Sequence, residues 1–434
     1  MRQGRRRANP LKIILLVGLI AFLAYINRTI EPLSPNLFMP SPTPTISPDI
    51  FLAEAEDLAK QGKYTQALVN YQNAIRADPQ NPALYIAMAR LYAYSGRYEE
   101  AIESASNAVL LNQTSSMGEA LRGLSHGMVG EYLAAESALN RAIELEPGNA
   151  TAYAYLSIVL TQKIYLGQQT LGDLDRAIEA SRTAESIAPG SLESYWARGM
   201  VLEITGNYEE AVIELEQAVA LNTNISELHI TLGRNYRFLG RNDLAVEAFT
   251  RANALNPSDP NPDLLISRTY ANIGEFGKAI QYAEQAVADQ PDNSFLYGNL
   301  GVMYRQNYET GKALLTLKLA VQGGLTPEGV VVQGLPLSYA NRIPEFYYNY
   351  GFALEELGYC GEARDIAQGI LQSISNDDIA VNNANVILER CNKKLNDLQM
   401  LKLPTPTMLP TWTPRPSPTP TPMATAEPAA SLSQ

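Results

Sequence analysis

The sequence is poor in the side chains on which most enzymes and metal sites depend. Its 434 residues include only two histidines, His126 and His229, and two cysteines. Histidines so far apart argue against a histidine-based metal site or proton relay, and two cysteines are too few for a zinc cluster or a disulfide-rich scaffold. A Gly-rich loop ending in Gly-Lys, a GxSxG motif and an HExxH motif are also missing. We therefore predict no catalytic residue, no metal site and no cofactor, and we interpret both histidines as packing residues of a chain that is not an enzyme.

Net positive charge is missing as well. The chain carries 33 lysines and arginines against 45 aspartates and glutamates, which gives a net charge of -12. Four of the arginines lie within the first seven residues, so the rest of the chain is more acidic still. An acidic body repels phosphate backbones, and nucleic acid is therefore not an expected partner.

The N-terminus has the composition of a membrane signal. The basic segment 1–10 precedes an apolar run, Ile13–Ile26, and the stretch 11–30 is marginally long enough to span a bilayer core of about 30 Å. We expect a single-pass transmembrane signal-anchor helix at 11–30, with the N-terminus in the cytoplasm and the body of the protein outside it. The alternative is a signal peptide that is cleaved to give a secreted protein.

Two proline-rich segments flank the body. Residues 31–47 form the first, and residues 399–434, which are rich in proline and threonine and include Trp412, form the second. Dense proline removes backbone donors and disfavours helix, so the first segment is predicted to be an extended linker and the second a disordered tail.

A sequence motif, called the phrase below, is repeated throughout the residues between these two segments. It reads "GRYEEAIESASNAVLLN" from Gly96 and "GNYEEAVIELEQAVALN" from Gly206. Apolar positions at i, i+4 and i+7 predict a helix in the phrase and another before its glycine, where a helix end favours that residue. The first alanine of the phrase recurs nine times, mostly at intervals of 34 residues: Ala67, Ala101, Ala135, Ala177, Ala211, Ala245, Ala279, Ala313 and Ala363.

This small/Gly/Tyr/Ala/Ala pattern resembles the tetratricopeptide repeat (TPR). The resemblance implies an all-α fold, a right-handed superhelical solenoid of about nine helix-turn-helix units at 48–398 that ends in a capping helix at 378–398. Eight extra residues fall within 161–172 of unit four. Sixteen more precede unit nine within 323–344, and the 325–343 stretch is expected to be either a short hairpin or an irregular loop.

The resemblance also implies a concave groove, lined by the first helix of each unit, that binds a protein or peptide. Carried onto this sequence, the groove has an apolar half followed by a cationic half. Its arginines would bind a carboxylate or acidic segment bidentately, unless they pair with neighbouring glutamates or face solvent. The hypothetical groove residues are Ile86, Tyr94, Met117, Leu124, Met128, Trp196, Met200, Arg234, Arg237, Arg268, Asn299 and Arg305.

The two cysteines, Cys360 and Cys391, fall near the same end of adjacent helices if unit nine packs on the cap helix. Either a disulfide or two buried thiols is compatible with this placement.

The function predicted from the sequence is that of a membrane-tethered, extracytoplasmic scaffold for protein–protein interaction. Two alternatives stay open: a structural tether or spacer of the cell envelope, and an accessory subunit of an envelope or glycan assembly machine.

Overall fold

The computed structural model describes residues 10–30, 47–340 and 342–401, nearly all of them in helices. Most of the predicted basic segment (1–9), linker (31–46) and tail (402–434, with Trp412) lies outside the described residues.

The N-terminal apolar run lies in one helix, α1 (Pro10–Ile30). Among the described residues, however, no helix meets the length and hydropathy that a membrane span requires. The predicted transmembrane signal-anchor is therefore not supported. At about 1.5 Å per residue, the uninterrupted apolar run covers about 21 Å, which is less than the roughly 30 Å of a bilayer core.

The body is a solenoid of nine helical pairs and a final helix, as predicted. Units one to four are α2 (Pro48–Lys60) with α3 (Tyr64–Ala77), α4 (Pro82–Tyr94) with α5 (Tyr98–Leu111), α6 (Ser116–Met128) with α7 (Tyr132–Leu145), and α8 (Ala150–Tyr165) with α9 (Asp173–Ile187). Units five to seven are α10 (Leu192–Ile204) with α11 (Tyr208–Leu221), α12 (Ser226–Phe238) with α13 (Asn242–Leu255), and α14 (Asn261–Asn272) with α15 (Phe276–Asp289). Units eight and nine are α16 (Ser294–Gln306) with α17 (Thr310–Gln322), and α18 (Ile343–Glu356) with α19 (Cys360–Ser373), followed by α20 (Asp378–Leu401).

Small residues allow the two helices of each pair to approach closely. A Cβ atom added to Gly233 would lie 2.6 Å from the Phe249 ring, and one added to Gly199 would lie 2.6 Å from Leu215. The recurrent alanines are fully buried in the same interfaces. Any larger side chain at these positions would force the pair apart.

The turn within each pair needs a left-handed backbone. Gly96 has a φ of +76°, and the equivalent glycines of seven other units also have a positive φ. Unit eight, which breaks the glycine pattern, places Tyr308 in the same conformation with a φ of +62°. The repeat geometry therefore overrides the residue preference at this one position.

The two insertions take different forms. In unit four the extra residues lengthen α8 to Tyr165 and form the turn 166–172. Before unit nine they form a two-stranded antiparallel hairpin, β1 (Gly323–Leu325) and β2 (Val331–Gln333), in which Gly324 pairs with Val332. Val332 is buried against α16 and α17, so the hairpin is anchored to unit eight.

The C-terminal end is closed by α20, which packs on α18 and α19. Cys360 at the start of α19 and Cys391 in α20 form a disulfide with a Cα–Cα distance of 5.2 Å. Of the two states that the sequence left open, the structure has the bonded one.

The solenoid coils tightly enough for its first units to touch its middle. A Cβ atom on Gly62 in the unit-one turn would lie 2.6 Å from Asn224, and one on Gly96 in the unit-two turn would lie 2.7 Å from Asn256. The Tyr64 hydroxyl lies 3.4 Å from Asn222 Oδ1. We call these contacts between units one and two and the loops after α11 and α13 the seam.

Candidate functional site

The groove residues predicted from the sequence all lie on the first helices, but half of them are buried. Tyr94, Leu124, Trp196, Met200, Arg234 and Asn299 are buried, whereas Ile86, Met117, Met128, Arg237, Arg268 and Arg305 are partly exposed. The apolar half is filled rather than open, because Leu124, Trp196 and Met200 belong to the hydrophobic core. The Tyr94 hydroxyl of unit two also donates to Glu193 Oε1 of unit five at 3.0 Å.

The cationic half begins with a buried ion pair. Arg234 donates from Nε and Nη2 to the two carboxylate oxygens of Glu203 in the preceding unit, at 2.8 and 2.9 Å. Its guanidinium also lies over the ring of Tyr165 and 3.7 Å from Glu227. Although burial opposes the charge, Glu203 raises the pKa of Arg234. Arg234 is therefore neutralised within the protein and is not available to a ligand.

The next two arginines differ, because no carboxylate pairs with them among the described residues. Arg268 donates only a long hydrogen bond, 3.4 Å from Nε to Asn299 Oδ1, and its Nη2 is buried without a partner. Arg237 has no ion pair there, and its guanidinium lies over the Phe238 ring, 5.9 Å from the centroid. Two guanidiniums that are mostly shielded from water thus keep free donors.

A further arginine completes this cluster. Arg342, at the start of α18, donates from Nη1 to Asn299 Oδ1 at 2.9 Å and is paired with Glu345. Burial and the nearby Arg342 and Arg237 lower the pKa of Arg268 to about 9. Burial and the nearby Arg234 and Arg342 lower the pKa of Arg237 as well. We refer to Arg237, Arg268 and Arg342 as the arginine cluster.

Like charges held together in a desolvated place are costly unless an anion is present, and such perturbed groups are typical of functional sites. Since Arg342 is the one member that pairs with a carboxylate of the described residues, the cluster is short of negative charge there. Planar guanidiniums with free N–H groups are suited to a carboxylate, which they bind bidentately. The arrangement is thus a candidate site for an anion.

The last predicted arginine, Arg305, has a structural role and is not part of the cluster. Arg305 donates to Asn349 Oδ1 and pairs with Glu356 in unit nine at 2.9 Å. It also lies over the ring of Phe352. Arg305 therefore ties unit eight to unit nine.

Sequence reasoning missed Arg342, because that residue comes from the insertion and not from a repeat position. It also gave Arg234 and Arg268 the same weight, although a signal in the sequence separates them. Glu203, which neutralises Arg234, has Arg237 as its counterpart 34 residues later. Unit six therefore has a positive charge where unit five has a carboxylate, and Arg268 of unit seven lacks the partner that Arg234 of unit six has.

Several buried polar atoms of the first helices have no hydrogen-bond partner among the described residues. They include Trp196 Nε1, Arg90 Nε and Arg268 Nη2. Each such group costs about 1–3 kcal/mol when it is left unsatisfied. Arg90 and Tyr94 line a cavity of about 510 Å³ that opens beside the seam.

Acidic groups lie on the other side of the seam. Burial raises the pKa of Glu227 to about 7, with Arg234 opposing this shift and Asp259 and Glu203 adding to it. Burial raises the pKa of Tyr98 of unit two well above its usual value, and Glu227 and Asp259 raise it further. Tyr98, at the start of α5, therefore lies close to unit six and to the loop that follows it.

Neither histidine lies in the arginine cluster. His126 Nδ1 is 2.7 Å from Glu131 in the turn of unit three, and His229 Nε2 is 3.0 Å from the Thr223 carbonyl. Burial lowers the pKa of His229. Within the described ranges, no group of three or more acidic, histidine or cysteine side chains is placed to hold a metal ion.

Comparison with known families agrees with the repeat pattern. Three family models described as tetratricopeptide repeat match the chain, over residues 58–123, over residues 120–191 and 230–294, and over residues 192–225. Anaphase-promoting complex subunit 6 of Arabidopsis thaliana is 28% identical over 126 residues. That match covers 29% of this chain and only 23% of the relative's length.

The solved structures that the chain matches include MamA, which is 30% identical and has a TM-score of 0.29. That match covers 40% of this chain and 90% of the MamA chain. Pseudomonas aeruginosa pilF is 21% identical, with 48% and 91% covered and a TM-score of 0.38. Yeast Tom70 is 13% identical, with 81% and 89% covered and a TM-score of 0.41. Scores this low carry no inference about a ligand.

Proposed function

Because the chain belongs to the tetratricopeptide repeat family, we propose that it is a scaffold that binds a protein partner through the concave face of its solenoid. The observation that supports this most directly is the arginine cluster. It brings three guanidiniums together with one carboxylate, Glu345, so it is suited to bind an anion from outside the chain.

The partner proposed is a protein with an acidic segment. Arg268 Nη2 is a buried donor without an acceptor in the part of the chain that the structure describes, and Asn299 Oδ1 accepts hydrogen bonds from both Arg268 and Arg342. A carboxylate from the other side would satisfy the free donors and relieve the repulsion between like charges. The body of the protein is acidic, so this attraction is local to the cluster and does not extend to anions in general.

The test is binding of a fluorescein-labelled hexaglutamate peptide, followed by anisotropy at low ionic strength. We expect the Arg268→Gln/Arg342→Gln variant to lose at least about tenfold in affinity, which is about 1.4 kcal/mol. Arg141→Gln is the control, because this substitution removes a positive charge from the exposed face of α7. Arg141 pairs there with Glu144 at 3.2 Å. Equal losses in both variants, or no binding by the wild type, would refute the proposed site.

The proposal extends to location. We propose that the body works outside the cytoplasm and that the N-terminal segment tethers it to the membrane. Its support is the basic segment followed by an apolar run, together with a disulfide, which forms and persists in oxidising compartments.

A labelled cysteine tests this proposed location. Leu133 is 89% exposed on the second helix of unit three, so Leu133→Cys presents a thiol at the surface. We expect a membrane-impermeant maleimide to label this variant in intact cells as fully as in permeabilised cells. Labelling only after permeabilisation would contradict export, and recovery of the labelled protein in the soluble fraction would contradict the tether.

A further inference from the structure

The hairpin before unit nine forms one wall of a groove on unit eight. Strand β1 and the turn that follows it line a cavity of about 500 Å³ together with α16 and α17. Val332 of β2 is buried against unit eight, so this wall is fixed to the helices that form the floor. The apolar part of the lining includes Tyr297, Tyr304, Leu315, Leu319, Leu325 and Pro327. We call this cavity the hairpin groove.

The hairpin groove exposes apolar surface that the fold itself leaves uncovered. Leu325 is 65% exposed and Leu315 is 42% exposed. The hydroxyls of Tyr297 and Tyr304 already donate hydrogen bonds elsewhere, so these residues offer the groove the apolar surface of their rings. A concave site of this size with aliphatic and aromatic walls is suited to enclose a large apolar side chain.

The proline-rich tail carries a face that matches this lining. Leu409, Trp412 and Arg415 follow one another at intervals of three residues in "LPTWTPRP". A polyproline II helix, which the neighbouring prolines favour, has three residues per turn and therefore places these side chains on one face. Glu328 at the hairpin and Lys318 on α17 also line the groove, so the charges favour Arg415 at the hairpin. Grooves with aromatic walls bind proline-rich segments in this conformation.

The tail also begins within reach of the hairpin groove. Helix α20 ends at Leu401, and only unit nine, on which α20 packs, separates it from unit eight. Crossing the two helix layers of one unit takes about 20 Å. Trp412 lies 11 residues beyond Leu401, and an extended proline-rich chain of that length covers about 34 Å. The other proline-rich segment, 31–47, has no tryptophan, lysine or arginine and leads into unit one.

We propose that the hairpin groove is a docking site for the tail of the same chain, with Trp412 in the cavity and Arg415 beside Glu328. The insertion before unit nine thereby has a role that no repeat position has, because it builds the wall against which the tail lies. The docked tail covers Leu315 and Leu325. This inference does not depend on the anion site, since none of its residues belongs to the arginine cluster.

The experiment measures how strongly acrylamide quenches the fluorescence of Trp412 in the full-length protein. The sequence has two tryptophans, so the emission of Trp412 is the difference between each protein and its Trp412→Phe counterpart. Trp196 is 2% exposed and contributes a background that this subtraction removes. A ligand site buries about 70% or more of the surface of its ligand, so we expect the quenching constant of the wild type to be at least about threefold lower than that of Leu325→Glu.

Two variants disrupt the hairpin groove, and a third is their matched control. Leu325→Glu and Leu315→Glu each place a charge in the apolar lining at an exposed position, and circular dichroism checks that both fold. Leu110→Glu makes the same change on α5, where Leu110 is 75% exposed, and should leave the quenching of Trp412 at its wild-type value. Equal quenching of Trp412 in the wild type and both groove variants would overturn the docking site.

Dilution distinguishes the tail of the same chain from the tail of a second copy. A tail that docks in its own chain stays docked at any protein concentration, whereas docking between copies weakens as the protein is diluted. We expect the protection of Trp412 to be independent of concentration. Protection that is lost on dilution would overturn the proposal and assign the groove to a second copy.

Exchange of charges tests the placement of Arg415 beside Glu328. Arg415→Glu puts two carboxylates together, so the quenching of Trp412 should rise. Arg415→Glu/Glu328→Arg restores an opposite pair and should return the quenching constant towards the wild-type value. Single and double variants with the same quenching constant would overturn this placement.

Discussion

Arg234 and Arg268 occupy the same position of consecutive units, 34 residues apart, yet their environments are opposite. Arg234 is 4% exposed and bonded to both oxygens of Glu203. Arg268 has a buried nitrogen without a partner and like charges for neighbours. The same residue at the same place is a structural ion pair in one unit and a candidate binding group in the next.

The residue one unit earlier decides between these roles. Glu203 and Arg237 are themselves 34 residues apart, and each reaches the arginine of the following unit. Reversing one charge between consecutive repeats thus turns the position of a stabilising contact into a candidate anion site. Whether a groove arginine is free to bind a ligand therefore depends on the residue at the equivalent place of the preceding unit.

The largest effect on stability is expected from breaking the ion pair between Arg234 and Glu203. Arg234→Met leaves Glu203 buried without its counterion, and removal of one partner of a buried pair typically costs about 3–5 kcal/mol. We expect a large fall in the urea midpoint of unfolding, followed by circular dichroism.

The control for this loss is Arg234→Met/Glu203→Gln. Because the double variant removes the stranded charge, most of the lost stability should return. A single variant as stable as the wild type would show that the pair contributes nothing to folding.

Substitution of the unpaired Arg268 should have the opposite effect on stability. Arg268→Gln removes a desolvated charge that has like-charged neighbours, so the urea midpoint should stay unchanged or rise, while hexaglutamate affinity falls by about tenfold. A fall in stability as large as that of Arg234→Met would mean that Arg268 is structural too.

A smaller effect is expected at Asn299. Its Oδ1 accepts from both Arg268 and Arg342, whereas the preceding unit has Leu265 at the equivalent position. Asn299→Leu should therefore leave both guanidiniums less well positioned and weaken peptide binding by about threefold, with Arg141→Gln as the control. Unchanged affinity would remove Asn299 from the site.

The smallest effect concerns Glu227, the second carboxylate near Arg234. Its pKa is about 7 in the folded protein against an ordinary value of 4.5, chiefly because of burial. Between these values the folded state holds a proton that the unfolded state has lost, so stability should fall as the pH rises from about 4.5 to about 7.

Glu227→Gln should flatten this pH dependence by on the order of 1 kcal/mol, as measured by urea unfolding at pH 5 and pH 7.5. A pH dependence that is identical in the variant and the wild type would contradict the assignment of the proton to Glu227.

Most of the fold could be predicted from the sequence, because the same pattern of small and apolar residues recurs in nine units. The recurrent alanines and the glycine before each phrase specify where two helices touch and where the first one ends. Even Tyr308, the exception to the glycine rule, adopts the backbone that the rule requires. The capping helix followed from the need to close an open stack.

The site was less accessible, because periodicity predicts which side chains face the groove but not what they meet there. Nothing in the repeat pattern indicated that Tyr94 would reach Glu193 or that Gly62 would meet Asn224. Those contacts depend on how tightly the whole superhelix coils, which is the sum of small rotations between units. Arg342 was missed because it lies in an insertion that no repeat position predicts.

The most direct test of this account is Arg237→Glu, which gives Arg268 the carboxylate that Glu203 gives Arg234. Thermal stability and hexaglutamate affinity would be measured on the same protein. The account predicts a higher melting temperature together with a loss of at least about tenfold in affinity, because a new buried pair replaces the anion site. Unchanged peptide binding in this variant would contradict it and would place the anion-binding function of the concave face elsewhere.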